Sequence, residues 1–232
     1  MWRRLYLHRG IMVFESAYSA RAEGSWGIIA ALAHADGSAT HPLMRLLSSR
    51  TASMRDLADA VHALCMLHGR QPGVIEHAAT RNAQPLAQDW LHAASAAFTE
   101  ERNYLAKLAA AAGHAPSTPG QAESEAAVVG QRHALEMLAQ SDRAGCATGA
   151  ATALMLDWAG IRVTLDVAAH RFGVTPPDCV LPIDNEIATV IATLGETPGV
   201  ERAMAFGAQQ LLAQHRGLWD LLEARASARD HL

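Results

Sequence analysis

Four ionisable residues, Glu101, Asp157, His68 and His215, fall where the spacing of their apolar neighbours calls for a hydrocarbon. Glu101 interrupts the row Leu91, Ala94, Phe98, Leu105, Leu108 and Ala112, whose members stand three and four residues apart as on one face of a helix. Asp157 sits among Ala150, Ala153, Gly160 and Thr164, His68 closes the row Leu57, Val61 and Leu64, and His215 shares a face with Met204, Ala208, Leu211, Leu218 and Leu222. An unpaired charge in such surroundings costs several kcal/mol, so every one of these positions implies a partner. Carboxylates and imidazoles converging from facing helices are the donor set of di-iron and di-manganese centres. Glu123, four residues before Ala127, and His133, beside Val129 and Met137, could complete such a set, which makes Glu101, Glu123, His133 and Asp157 the candidate metal ligands. Without a metal, the plain partner for Asp157 is a guanidinium from another helix, Arg102, Arg132 or Arg143.

Two further groupings carry charge. Arg162, Asp166 and His170 recur every four residues, a ladder of compatible pairs along one helix face. Between Leu67 and His77 a helix stop and a helix start gather His68, Arg70, Glu76 and His77. Free backbone N–H groups at the new helix start, with Arg70 and His77 beside them, would suit an anion, whereas a stiff corner in which Arg70 pairs with Glu76 needs no ligand. Other catalytic templates are absent: no Gly-x-Ser-x-Gly elbow, no phosphate loop ending in Gly-Lys, no Gly-x-Gly-x-x-Gly and no His-Glu-x-x-His.

The elements that must position these residues read as helices. Alanine makes up about a fifth of the chain, and β-branched and aromatic residues never alternate over a convincing run. Ser53 and Asp56 cap a helix that reaches His68 and stops at Gly69. A long helix is expected from Pro85 to Ala112, closed by Gly113, and another from a Thr118 cap and Pro119 to about Gln140. The most apolar helix follows Ser141-Asp142, is buried on both sides, and carries Gly145-x-x-x-Gly149 for close backbone approach before Gly173 and Pro176-Pro177 end it. A short helix over 185–194 and a last one from Gly199 to Ala226 complete an all-α antiparallel bundle of four to five long helices with short ones between. Trp26 to Ala33 reads as a short buried helix, with a strand as the alternative. The organisation expected is an N-terminal extension and poorly determined segment over 1–47, then a helical bundle domain over 48–232.

In this arrangement the bundle core, roughly residues 85–226, resembles the ferritin-like superfamily. The resemblance implies a di-metal oxidase, hydroxylase or storage activity where the ligands are intact. Ferritin-like chains pair Glu with a His three residues later on two helices, and no Glu-x-x-His occurs here. The nearest spacings are Asp59-x-x-His62, expected on a flank or in water, Asp89-x-x-His92, and His133-x-x-Glu136 in reversed order. The 67–77 corner and the 117–123 helix start also look like segments of a bacterial family of unassigned function.

The chain of 232 residues is half hydrophobic, 18% charged and carries a formal net charge of −4, with Lys107 the single lysine, which disfavours nucleic acid. Cys65, Cys146 and Cys179 form no CxxC pair and read as buried reduced thiols, with no disulfide framework. The apolar stretch Ala144 to Leu156 is short of the ~20 residues of a membrane span, and residues 1–14 lack a signal-peptide apolar region. Met12 reads as an alternative start. A cytoplasmic location is therefore expected. The expected function is contact with a protein partner, a second copy of the chain included, or with a small ligand, and no cofactor. The alternative is a di-iron or di-manganese carboxylate oxidoreductase.

Overall fold

The computed structural model describes residues 24–80, 85–182, 185–194 and 197–230. Expectations that fall on residues 1–23, Met12 as a start among them, lie outside the described residues. In chain order the helices are α1 (Ser25–Asp36), α2 (Pro42–Leu47), α3 (Met54–His68), α4 (Val74–Thr80), α5 (Gln88–Ala112), α6 (Gln121–Ala139), α7 (Cys146–Phe172), α8 (Asn185–Leu194) and α9 (Pro198–Asp230). Single 3-10 turns at Ser38–Thr40 and Pro85–Ala87 precede α2 and α5. Among the described residues there is no strand, and the fold is all-α as the composition predicts.

α7 is the centre. Nineteen of its residues are buried, from Cys146 to Ala169, so it is surrounded by neighbours rather than amphipathic. Its closest companion is α9, and two glycines let their backbones meet. A Cβ at Gly149 would stand 2.1 Å from the Met204 carbonyl oxygen, and one at Gly207 2.0 Å from that of Cys146. The Gly145-x-x-x-Gly149 spacing thus does what the sequence suggests. α3, α5 and α6 pack around the same centre, with Leu57, Leu64, Phe98, Leu105, Leu108 and Leu135 turned inward. Residues 25–47, set apart in the sequence, share this core through Ile29, Leu43, Met44 and Leu47, and the helix reading of Trp26 to Ala33 is the one that forms.

Some helix ends follow local chemistry, and the start of α6 departs from it. Ser53 caps α3 by accepting from Asp56 N–H, and Gly173 ends α7 in the left-handed conformation. Thr118 does not cap α6: it is buried and accepts a hydrogen bond from Arg229 at 2.9 Å. The cap is Gly120, at φ 71°, a backbone conformation that a residue with a Cβ resists. A long-range guanidinium took the hydroxyl that the local pattern reserves for the helix.

Candidate functional polar core

The inward-facing ionisable residues form hydrogen-bonded chains at the heart of the bundle. Asp157, midway along α7, accepts from the Ser38 backbone N–H at 2.6 Å, from Ser38 Oγ at 2.5 Å and from His215 Nδ1 at 2.6 Å. Trp219 Nε1, one turn beyond His215 on α9, donates to Ser38 Oγ at 2.8 Å. The turn carrying Ser38 can come this close because its predecessor is Gly37: a Cβ there would lie 2.8 Å from Asp157 Oδ1.

On the far side of the His215 ring, Nε2 faces Nε2 of His68, the last residue of α3, at 2.8 Å, so one N–H lies between the two rings. Burial, the His215 ring and Arg102 together hold the His68 pKa well below the usual 6.5, so this imidazole is neutral near pH 7. Its ring meets the edges of Trp158 and Phe98, at centroid distances of 5.6 and 6.2 Å. Asp157, His215, His68 and Ser38 are all at most 5% exposed.

Two charged clusters flank this chain. The His68 carbonyl accepts from Arg102 Nε at 2.9 Å, and the same guanidinium grips Glu76 with two bonds of 2.5 and 2.8 Å. Burial pushes the Glu76 carboxyl up, but the Arg102 bonds and the Gly73 N–H outweigh it and leave its pKa lowered. Glu101 accepts from Arg162 at 2.5 Å and from Trp158 Nε1 at 2.9 Å. Arg162 also bonds Asp166 at 2.8 Å and the Pro177 carbonyl, and stacks on the Tyr104 ring at 4.4 Å. Tyr104 in turn donates to Asp166, and burial and that carboxylate raise its hydroxyl pKa. A further cluster ties α3 to α9: Asp59 accepts two bonds of 2.9 Å from Arg225 and one of 2.7 Å from Arg229, which also holds Asp56.

These contacts correct several expectations. Glu101, Glu123, His133 and Asp157 do not converge: the first and last are buried but bonded to different partners, while Glu123 and His133 are exposed on the outer face of α6. The apolar neighbours of those two, Val129 and Met137, are exposed as well, so α6 turns toward the core only its Val128, Leu135 and Ala139 face. Asp157 takes a histidine and a serine rather than Arg102, Arg132 or Arg143. Asp59 is buried against arginine instead of lying on a flank. Arg162 pairs with Asp166 as the ladder predicts, while His170 stays exposed. Cys146 alone is buried among the thiols; Cys65 is half-buried and Cys179 exposed.

The corner residues also separate. Arg70 lines a cleft with His68, Arg132 and Glu136, but its interior is about 20 Å³, room for a water molecule rather than an organic ligand. His77 is not in that lining and lies 3.5 Å from Gln140 Nε2, and Glu76 belongs to Arg102 rather than to Arg70.

Among the described residues, His41, Asp220 and Glu223 lie close enough to share a metal ion. The histidine argues against one. Leu43 N–H donates to His41 Nδ1 at 3.2 Å, which leaves the ring proton on Nε2, where it is donated to Asp220 at 3.0 Å. A metal at Nε2 needs that lone pair free and the other ring nitrogen donating, the reverse of this arrangement.

Ser38, Trp219, Arg225 and Arg229 were not singled out by sequence. A signal existed for the arginines, since Leu211, His215, Leu218, Leu222, Arg225 and Arg229 continue one three-and-four row. Ser38 carries none: it meets Asp157 across 119 residues.

Residues 33–230 match the model of a family of unknown function (DUF6975), and the chain belongs to that family. No curated protein and no solved structure matches the chain. Among the described residues no helix is long and apolar enough to cross a membrane.

Proposed function

We propose that this member of the DUF6975 family works by contact with a protein or small-ligand partner, and that its inward acids and imidazoles hold helices in register instead of holding metal. One observation supports this reading above the others: the donor atoms that a bundle metal centre would use are already spent. Both Glu101 oxygens accept from protein groups, and both ring nitrogens of His215 are engaged. Asp157 Oδ1 and Oδ2 accept three donors between them. The residues therefore do not fit a di-metal group, because a cation beside Arg162 and Arg102 would meet like charge where a ferritin-like site presents only ligands. Likeness to ferritin-like bundles would then be one of helix arrangement alone.

Elemental analysis of protein expressed with iron and manganese supplied tests this. Only trace metal is expected. Near-stoichiometric iron or manganese that disappears in Glu101→Ala would establish the oxidoreductase reading in its place.

A further inference from the structure

At the end of the molecule where α3 begins and α5 and α7 finish, a groove of about 500 Å³ opens to solvent. That volume lies within the range of small-molecule sites, about 300–1,000 Å³. Its lining contains Arg55, His114 and Arg171 and no carboxylate, a local reversal of sign in a chain whose formal net charge is −4. The nearby acids of α3 do not neutralise it from within, because Asp56 and Asp59 are taken by Arg225 and Arg229. Among the described residues the side chains of Arg55 and His114 make no hydrogen bond or ion pair. Arg171 is anchored through one nitrogen, which donates to the carbonyls of Arg50 at 3.3 Å and Ala52 at 2.9 Å, and its remaining edge is uncommitted.

Met54, Ala58 and Phe172 give the same groove apolar walls. The carbonyl ends of α5 and α7 open at this end and repel anions, so the attraction must come from the Arg55 and Arg171 guanidiniums, aided by the N-terminal turn of α3. A ligand that satisfies both halves of the lining has a negative head and a short hydrocarbon tail. We propose that this groove binds a small amphiphilic anion, a carboxylate on a short apolar chain, with Arg55 and His114 meeting the head. This deepens the reading of the chain as a ligand-contacting bundle by naming the ligand class, and it rests on that reading.

Calorimetric titration of the full chain with hexanoate tests it, with hexanol as the uncharged counterpart. Expected are saturable binding of hexanoate and at least about tenfold weaker binding of hexanol. A similar loss is expected for hexanoate in R55Q/H114Q at unchanged thermal midpoint, as befits a charge-assisted bond. Absence of saturable heat, equal binding of hexanol, or undiminished binding by the folded double variant overturns the proposal. If the double variant fails to fold, NMR of the unsubstituted protein decides: hexanoate-induced shifts at Ala58 and Phe172 support it, and shifts elsewhere refute it. Metal found at Glu101 would end the metal-free reading without touching these titrations, and a silent titration would end this proposal without touching the elemental analysis.

Discussion

Asp157 accepts three donors in a place where water cannot replace them, so its energetic weight lies in what its removal leaves behind. Asp157→Asn turns one acceptor into a donor that faces Ser38 or His215, and the expected cost is about 2–4 kcal/mol in urea unfolding. Ser38→Ala, which removes one donor and one acceptor, should cost about 1–2 kcal/mol by the same measurement. His68 makes stability depend on pH with a definite sign. Its folded pKa lies well below the usual 6.5, so the unfolded chain binds the proton more tightly. Its contribution is complete above about pH 6.5 and is lost as pH falls below that value, by at most about 1.4 kcal/mol per pH unit. Urea midpoints between pH 7.5 and 5.5 should fall less steeply in His68→Gln. At this scale the sequence was half legible. Apolar rows revealed that Glu101, Asp157, His68 and His215 face inward, because helical periodicity is local. They could not reveal that two imidazoles would meet each other while Ser38 reached Asp157, because those pairings span 147 and 119 residues.

The contact between α7 and α9 depends on Gly149 and Gly207, where an added Cβ would collide with backbone that cannot swing away. Gly149→Ala should therefore destabilise by about 1–3 kcal/mol or more, as overpacking does. Gly130, on exposed α6 with nothing within 4 Å of an added Cβ, supplies the contrast. Gly130→Ala should stabilise by about 0.5–1 kcal/mol, since only helix propensity changes. Thermal or urea unfolding of the two variants side by side checks both signs. The helices themselves were readable from Ser53, Gly113, Gly173 and the three-and-four rows. Where that reading went astray, at Thr118 and on the outer face of α6, the deciding contact came from elsewhere: Arg229 claims Thr118, and neighbours cover α6 on one side only.

Taken as a whole, the molecule is a bundle whose centre is polar by pairing. Turn Ser38–Thr40, α3, α7 and α9 meet at Asp157, His215 and His68, while Arg102 and Arg162 neutralise the acids of α4 and α5 beside them. Such pairing specifies which helix faces meet, since any slip would strand a charge in a dry interior. The all-α architecture was legible because alanine-rich amphipathic rows admit little else. The purpose of the buried acids was not, because a metal and an arginine leave the same mark on one sequence. Nitrogen-detected NMR of the histidine rings separates them most directly. His68 is expected to stay neutral well below pH 6.5, with a hydrogen-bonded N–H between its Nε2 and that of His215. A residue 68 ring that titrates in the ordinary range, or ring shifts at 68 and 215 that move when iron or manganese is added, would contradict it.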